Sequence, residues 1–304
     1  SFANDVVVNA GIDAGGVVGL TASEGQVTVN QQVDGRQVSV AANAIEVASP
    51  GMVAAQETVE MIASTTVSVD GMVSGNTIDV TGDMIMTGGE SQVAGGDSVV
   101  LMASNDVTLD GALTGTDVQV SGGDVSLDGM LSGNTVDVTG DMIMTGGESQ
   151  VDGASVMFSA NQDVMIDGAV SATNVMLSGA AVRVDGSVAG TSAGAGGSSV
   201  VSVNGDTITV GADGSIVDGG DVTLTAVDAH QIDGQVTGDT VTLAGGSATV
   251  TGSVSGDTVM LGQADAGLDM IMVSDSGMVT GGTSVDLMST GTVSVDGMVS
   301  GNTV

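Results

Sequence analysis

The chain has 304 residues, of which 37 are acidic and two are arginine, with no lysine, so its formal net charge is −35 at pH 7. Such a charge excludes electrostatic binding to nucleic acid or to an anionic membrane, because both need a cationic surface. Cysteine is absent, which excludes disulfides and thiol chemistry, and no apolar run approaches the roughly 18 residues of a membrane span.

A pattern of two apolar residues separated by one residue recurs along the whole chain, about every twenty residues. Its first apolar residues stand at positions 6, 27, 45, 67, 84, 107, 125, 142, 164, 182, 208, 230, 248, 270 and 293. The stretch DVTGDMIMTGGESQV occurs twice without a change, at 79–93 and 137–151, which is three copies of the pattern apart. This stretch is therefore a building block of a repeat architecture.

Each copy contains three short alternating segments, as in Val107/Leu109, Leu113 and Val118/Val120. Alternation indicates strands with one buried face, and the 50 glycines argue against helices. Asp-Gly dipeptides also suit hairpins of an antiparallel sandwich, but a fixed period favours stacked coils. We predict an all-β fold, a single-stranded parallel β-helix (β-solenoid) of about 15 coils of about 17–26 residues, with three short strands per coil.

The apolar positions predict a thin, continuous core of Val, Ile, Leu and Met. Six methionines fall in paired inward positions of this prediction, where methionine is an adaptable filler and metal capture by thioethers is disfavoured: Met84, Met86, Met142, Met144, Met270 and Met272. The low-complexity stretch TSAGAGGSS at 191–199 predicts a surface loop inserted into one coil.

The two ends of the sequence lack the atypical capping units that solenoids use to cover their edges. We therefore expect residues 1–304 to form one continuous β-solenoid segment of a longer chain, or coils of neighbouring subunits to stack end to end.

Aspartates recur directly after the first strand of many copies, at Asp70, Asp110, Asp128, Asp167, Asp185, Asp233 and Asp296. In adjacent coils they should stack, so Asp110 with Asp128 and Asp167 with Asp185 are candidate ligands of a Ca²⁺ ladder. The preferred interpretation is a turn in which Asp precedes Gly and bonds its own backbone, because the aspartates are interrupted in the coils that begin at 84, 142, 208 and 248.

Residues for catalysis are scarce. His230 is the single histidine and occupies a position otherwise filled by apolar residues, mostly Val or Met, which predicts a partly buried packing residue. Nucleophilic triads, zinc sites and thiol chemistry lack their residues. Glycine-rich runs are abundant among the 50 glycines, but no helix is predicted after them to hold a phosphate. We predict no catalytic residue and no cofactor apart from the Ca²⁺ hypothesis.

The copies VSLDGMLSGNTVDVTG, VTLDGALTGTDVQVSG and VMIDGAVSATNVMLSG resemble the haemagglutinin repeats of filamentous-haemagglutinin-type exoproteins. The resemblance extends over nearly the whole chain. It implies a right-handed β-helix exported to the surface of a bacterium and used in adhesion, biofilm formation or contact-dependent competition. This chain is more acidic and richer in methionine, and it lacks the secretion domain of that family.

The sequence therefore predicts a non-catalytic structural or adhesive segment of an extracellular or cell-surface fibre, bacterial or archaeal. Expected partners are copies of itself, end to end or side by side, further repeats of the same chain, cell-surface glycans and divalent cations.

Two alternatives stay open. A polysaccharide-acting lyase or hydrolase could use paired Asp residues, although the chain has no Trp or Tyr and only two Phe to stack on sugars. A divalent-cation-dependent matrix or ice-binding solenoid is the other alternative. Ice binding would need Thr-x-Thr in coil after coil; Thr207/Thr209 and Thr240/Thr242 match that pattern, but most coils do not.

Overall fold

The computed structural model describes residues 4–191, 199–263 and 267–304. The fold is all-β, with no helix among these residues and 74% of the chain in strands. The strands are parallel and stack as a β-solenoid of about 14 turns. The chain divides into two compact units, residues 1–151 and 152–304.

Thirty-one strands are numbered here in chain order. They are β1 Val6–Val8, β2 Ile12–Asp13, β3 Val17–Val29, β4 Gln32–Val47, β5 Met52–Ala63, β6 Thr66–Val69, β7 Met72–Gly82, β8 Met84–Thr87, β9 Gln92–Ala103, β10 Val107–Leu109, β11 Ala112–Thr114, β12 Asp117–Ser121, β13 Asp124–Leu127, β14 Met130–Ser132, β15 Thr135–Gly140, β16 Met142–Thr145, β17 Gln150–Ala160, β18 Asp163–Ile166, β19 Ala169–Ser178, β20 Ala181–Val184, β21 Ser187–Gly190, β22 Val200–Val210, β23 Ser215–Asp218, β24 Asp221–Ile232, β25 Gln235–Thr237, β26 Thr240–Val250, β27 Ser253–Leu261, β28 Leu268–Val273, β29 Met278–Leu287, β30 Ser289–Val295 and β31 Met298–Ser300.

Equivalent strands of successive coils pair in parallel. Val107 of β10 lies in register with Ile85 of the coil before and with Val125 of the coil after. This confirms the predicted stacking, since a hairpin sandwich would pair neighbouring strands in opposite directions.

A complete coil has three sides. In the coil that starts at β10, the first side is β10, the second is β11 and the third is β12. In several other coils the second and third sides form one long strand that bends at a register shift, as β7 does between Gly75 and Thr77 when it pairs with β9. The predicted three short segments per coil are therefore present, and some of them are joined without a break in hydrogen bonding.

The core is a thin column of β-branched and leucine side chains. On the first side, Val67, Val107 and Val125 are fully buried, and on the third side Val118 and Val136 are as well. Each side chain contacts its equivalents in the coils above and below, and β-branched residues fit this pleated stacking well.

The inward positions predicted for methionine are wrong by one residue. Ile85 pairs with Val67 and Val107, so Ile85 points inward while Met84 and Met86 on either side point outward. Ile143 and Ile271 likewise take the inward position beside the other four methionines of the predicted set. In a Met-Ile-Met triplet both registers offer apolar side chains, and a slip of one residue exchanges the two faces of a strand.

The outward placement extends to nearly all the methionines of the chain. Among its 18 methionines, only Met61 is buried. Met102, Met130, Met176 and Met298 are exposed at 46–59% of their surface. Methionine is therefore mainly a surface residue of this solenoid, and the core is made mostly of Val, Ile, Leu and Ala, together with Met61 and Phe158.

The predicted surface loop at 191–199 falls mostly on residues 192–198, which lie outside the described residues. Its two ends are held: Thr191 N donates to Ala172 O at 2.8 Å, and the buried Ser199 hydroxyl donates to Asp218 Oδ1. Asp218 is itself 4% exposed and accepts a bond from Gly220 N at 3.1 Å. A buried carboxylate thus fastens the C-terminal end of the insertion.

The register of the Met-Ile-Met triplet can be tested with two neighbouring substitutions. We expect Ile85→Ala to lower the free energy of unfolding by about 2–4 kcal/mol, because it opens a cavity in the core column, and Met86→Ala to lower it by less than about 1 kcal/mol. Chemical denaturation of both variants measures the difference. Equal losses, or a larger loss for Met86→Ala, would contradict this register.

Candidate functional site

The predicted site residues lie at one corner of the solenoid, between the first-side strand and the second-side strand of each coil. We name this turn the first corner. Asp110 lies between β10 and β11, and Asp128 lies between β13 and β14. In the second unit, Asp167 follows β18 and Asp185 follows β20.

Backbone hydrogen bonds stack these corners on one another. Asp128 N and Gly129 N both donate to Leu109 O, at 2.8 and 2.9 Å, and Asp185 N and Gly186 N donate in the same way to Ile166 O, at 2.8 Å each. The structure therefore brings together the equivalent turns of Asp110 and Asp128 in the first unit. It does the same for Asp167 and Asp185 in the second unit, as the spacing predicts.

The carboxylates of this set differ in their surroundings. Asp110, Asp128 and Asp167 are exposed. Asp185 is held by Arg183 of its own coil, whose Nη2 donates to Oδ1 at 2.9 Å and whose Nε donates to Oδ2. A bidentate guanidinium satisfies both oxygens of a carboxylate, so Asp185 is the least available of the four for a metal ion.

In three of the four coils that interrupt the aspartate series, a glycine stands in place of the aspartate. A Cβ atom at Gly88, Gly146 or Gly211 would overlap the Oδ1 atom of the preceding coil's aspartate, which is Asp70, Asp128 and Asp185 respectively. The carboxylate thus leans over the next turn, and glycine is the residue that leaves room for it. The interruption at 248 has another cause, because Thr251 there donates its hydroxyl hydrogen to Asp233 Oδ1.

The described acidic residues of the first corner do not form a compact cluster of metal ligands. In residues 4–191, 199–263 and 267–304, no group of three or more His, Asp and Glu side chains comes together as a metal site would require. The Ca²⁺ ladder of Asp110, Asp128, Asp167 and Asp185 stays a prediction.

Corner length varies in a regular way that the aspartate pattern did not reveal. Some first corners contain four residues and are closed by a turn hydrogen bond, such as that from Ser91 N to Gly88 O at 2.9 Å. The other first corners contain two residues. The four-residue corners are 48–51, 88–91, 146–149, 211–214 and 274–277. From 88 onward they come at every third coil, a spacing that could have been read by counting residues between inward positions.

A small cavity lies where the two-residue corner Asp70–Gly71 is flanked by the longer corners 48–51 and 88–91. Its volume is about 220 Å³, and Pro50, Met52, Met72, Asp70 and Glu90 are among its lining residues. Ser49–Pro50 is a cis peptide bond at one wall. The cavity combines two carboxylates with two thioether side chains.

His230 is a core residue, as the sequence predicts. It is 1% exposed and lies in register between Ile208 and Ala248. Its Nδ1 is 3.3 Å from Ser247 O and its Nε2 is 3.2 Å from Leu224 O. Burial lowers its pKa despite these two carbonyl oxygens, so the imidazole is neutral at pH 7 and donates one hydrogen bond.

A second acidic pair lies on the third side of the first unit. Glu60 and Asp79 are in register on adjacent coils, and Ser39 donates to Glu60 at 3.0 Å. Burial and the neighbouring Glu60 charge raise the pKa of Asp79. Sequence reasoning missed this pair, because it depends on which coil positions are stacked.

The two Thr-x-Thr segments do not share a side of the solenoid. Thr207 and Thr209 flank Ile208 on the first side, in register with the segment around Val182. Thr240 and Thr242 flank Val241 on the third side. They therefore do not combine into one flat threonine array.

Comparison with known proteins gives no relative: no protein-family model, no curated protein and no solved structure matches this chain. In the part of the chain that the structure describes, no helix is long and apolar enough to cross a membrane.

The contact between the Asp128 carboxylate and Gly146, which lies in the second copy of the repeated stretch, can be tested by substitution. We expect Gly146→Ala to destabilise the fold by about 1–2 kcal/mol through overlap with Asp128. The neighbouring Gly147→Ala should be neutral or slightly stabilising, since nothing lies within 4 Å of its Cβ. Thermal and chemical unfolding measure both effects.

A double variant separates this overlap from a general effect of the substitution. In Asp128→Ala/Gly146→Ala the overlapping carboxylate is gone, so the loss should largely disappear. A loss that persists in the double variant would contradict the contact.

The neutral His230 should make stability depend on pH. The unfolded chain takes up a proton near the usual histidine pKa of about 6.5, whereas the folded chain does so only at lower pH. Histidine therefore contributes a loss of stability as pH falls below about 6.5, at up to about 1.4 kcal/mol per pH unit. The unfolding free energy of the unmodified chain minus that of His230→Val should therefore decrease as the pH is lowered from 7.5 to 5. The decrease should reach up to about 1.4 kcal/mol per pH unit below about 6.5. A difference that stays constant over this range would count against the neutral, buried imidazole.

Proposed function

We propose that this chain is a non-catalytic structural segment of a secreted or cell-surface filament. The observation that carries the proposal is the repetition itself: successive coils present the same hydrogen-bonded strands and the same buried column, as in Ile85, Val107 and Val125. Enzymes need one local departure from such a pattern to hold a substrate, while a scaffold needs none.

The distribution of charge supports the same proposal. Apart from the buried Asp218, the carboxylates of the described residues lie on outward positions and corners, and the formal net charge is −35. A high net charge of one sign keeps a large apolar-cored protein soluble and prevents nonspecific sideways association. The resemblance to haemagglutinin repeats supports a surface location and an adhesive or matrix role.

End-to-end stacking of copies, one of the expected arrangements, would change the surroundings of the inward residues in the last described coil. Val293 and Val295 occupy inward positions yet are 44% and 43% exposed, while their partners Ile271 and Val273 are fully buried. The same tripeptide in β6 is covered by β8, which buries Val67 and Val69. A further coil, from this chain or from another copy, would bury Val293 and Val295 in the same way.

The test is the assembly of the chain in solution. We expect concentration-dependent, end-to-end association in sedimentation velocity, and thin filaments of uniform width by negative-stain microscopy. Val293→Asp/Val295→Asp should abolish both by placing charges on the stacking edge. Thr292→Asp/Ser294→Asp, which changes outward positions of the same strand, should leave association intact. Particles that stay monomeric at every concentration would contradict self-stacking.

A polysaccharide hydrolase is the second candidate. It is favoured by one observation, that Asp70 and Glu90 line the same cavity. Both carboxylates are exposed and stand beside thioethers, without an aromatic platform for a sugar ring. Release of reducing sugar from acidic and neutral polysaccharides that is lost in Asp70→Asn would favour this function over the structural one.

A further inference from the structure

Four of the outward methionines form two pairs between neighbouring coils. In the first unit Met52 lies in register with Met72, and in the second unit Met278 lies in register with Met298. In-register residues of adjacent parallel strands point to the same face and are separated by about 4.8 Å. Two flexible thioethers are therefore held side by side on the surface.

Both pairs are built by the same local structure. The first methionine of each pair follows a four-residue corner, 48–51 or 274–277, and the second follows an Asp-Gly corner. Met72 N donates to Gly51 O at 3.0 Å, and Met298 N donates to Gly277 O at 2.9 Å. The backbone thus fixes the second methionine against the corner of the first in each unit.

The surroundings of the pairs favour a cation. Met52 and Met72 line the cavity of about 220 Å³ together with Asp70 and Glu90. In the second unit Met278 and Met298 are 42% and 59% exposed, so their sulfur atoms can be reached from solvent. A strongly negative protein raises the local concentration of cations at its surface.

The chemistry of the donor selects the kind of cation. Thioether sulfur is a soft ligand that favours Cu(I), whereas Ca²⁺ and Mg²⁺ prefer oxygen. Thiolate ligands are absent because the chain has no cysteine, and its single histidine is buried, so thioether sulfur is the soft donor at the surface.

We propose that the in-register methionine pairs Met52–Met72 and Met278–Met298 are binding sites for a soft monovalent metal ion of the Cu(I) class. Each pair supplies two thioether sulfurs from adjacent coils, and at the first pair the carboxylates of Asp70 and Glu90 supply the counter-charge. Binding fastens two neighbouring coils to each other on the surface, and it needs no rearrangement of the core.

The chain offers a matched control for this proposal. Met130 follows the Asp128–Gly129 corner as Met72 follows Asp70–Gly71, but its in-register neighbour in the preceding coil is Ala112. Met130 is 47% exposed, comparable to Met278. It therefore has the exposure and the local backbone of a paired methionine without a second sulfur.

The experiment is a titration of the full chain, labelled with ¹³C in the methionine methyl groups, with Ag⁺ as the redox-stable probe in a chloride-free buffer. We expect the methyl resonances of Met52, Met72, Met278 and Met298 to shift first, with an affinity at least tenfold higher than that of Met130. A parallel titration with Ca²⁺ should leave these methyl resonances unchanged.

Two variants decide whether pairing is the cause. Met72→Leu conserves volume and should reduce the Ag⁺ response of Met52 to that of Met130. Ala112→Met should create a new pair and raise the affinity at Met130 at least tenfold. The proposal is overturned if Met130 of the unmodified chain responds as strongly as the pairs, if Met72→Leu leaves Met52 unchanged, or if Ala112→Met leaves Met130 unchanged.

Discussion

The structure depends on one constraint, the in-register parallel hydrogen bonding of each strand to its equivalents in the coils before and after it. Once Val107 is fixed between Ile85 and Val125, the alternation of side chains along a strand decides which residues are buried. Repetition then makes the core a column of like residues, because each inward position contacts its own equivalent. Stability in such an architecture comes from nearest-neighbour contacts between coils.

The same constraint governs the first corner, where function-bearing residues were expected. A carboxylate at one corner must fit against the turn of the next coil, only one strand spacing away. Asp128 fits because Gly146 has no side chain, and Asp233 fits because Thr251 donates a hydrogen bond. The surroundings of each carboxylate at this corner therefore depend on the residue that the next coil places beside it.

Outward positions do not pack in the core, so they can hold polar and reactive side chains. Carboxylates, hydroxyls and thioethers occupy them, and the register decides which of these groups stand side by side. Glu60 beside Asp79 and Met52 beside Met72 are adjacent only because their coils stack. A repeat scaffold of this kind creates pairs of functional groups from residues that are twenty positions apart in the chain.

The sequence by itself determined the fold class, the coil period and the parallel stacking, because a period of about twenty residues with alternating apolar positions allows few other arrangements. It also placed His230 in the core, and it placed Asp110 with Asp128, and Asp167 with Asp185, at stacked turns. Only the tertiary structure decided the face of the methionines. Ile85 and Met84 are both apolar, and the choice between them rests on which one meets Val67 and Val107 in the neighbouring coils. The cavity beside Asp70 and the methionine pairs depend on corner lengths and on which positions of adjacent coils are in register, and these contacts between distant residues become visible only when the coils are stacked.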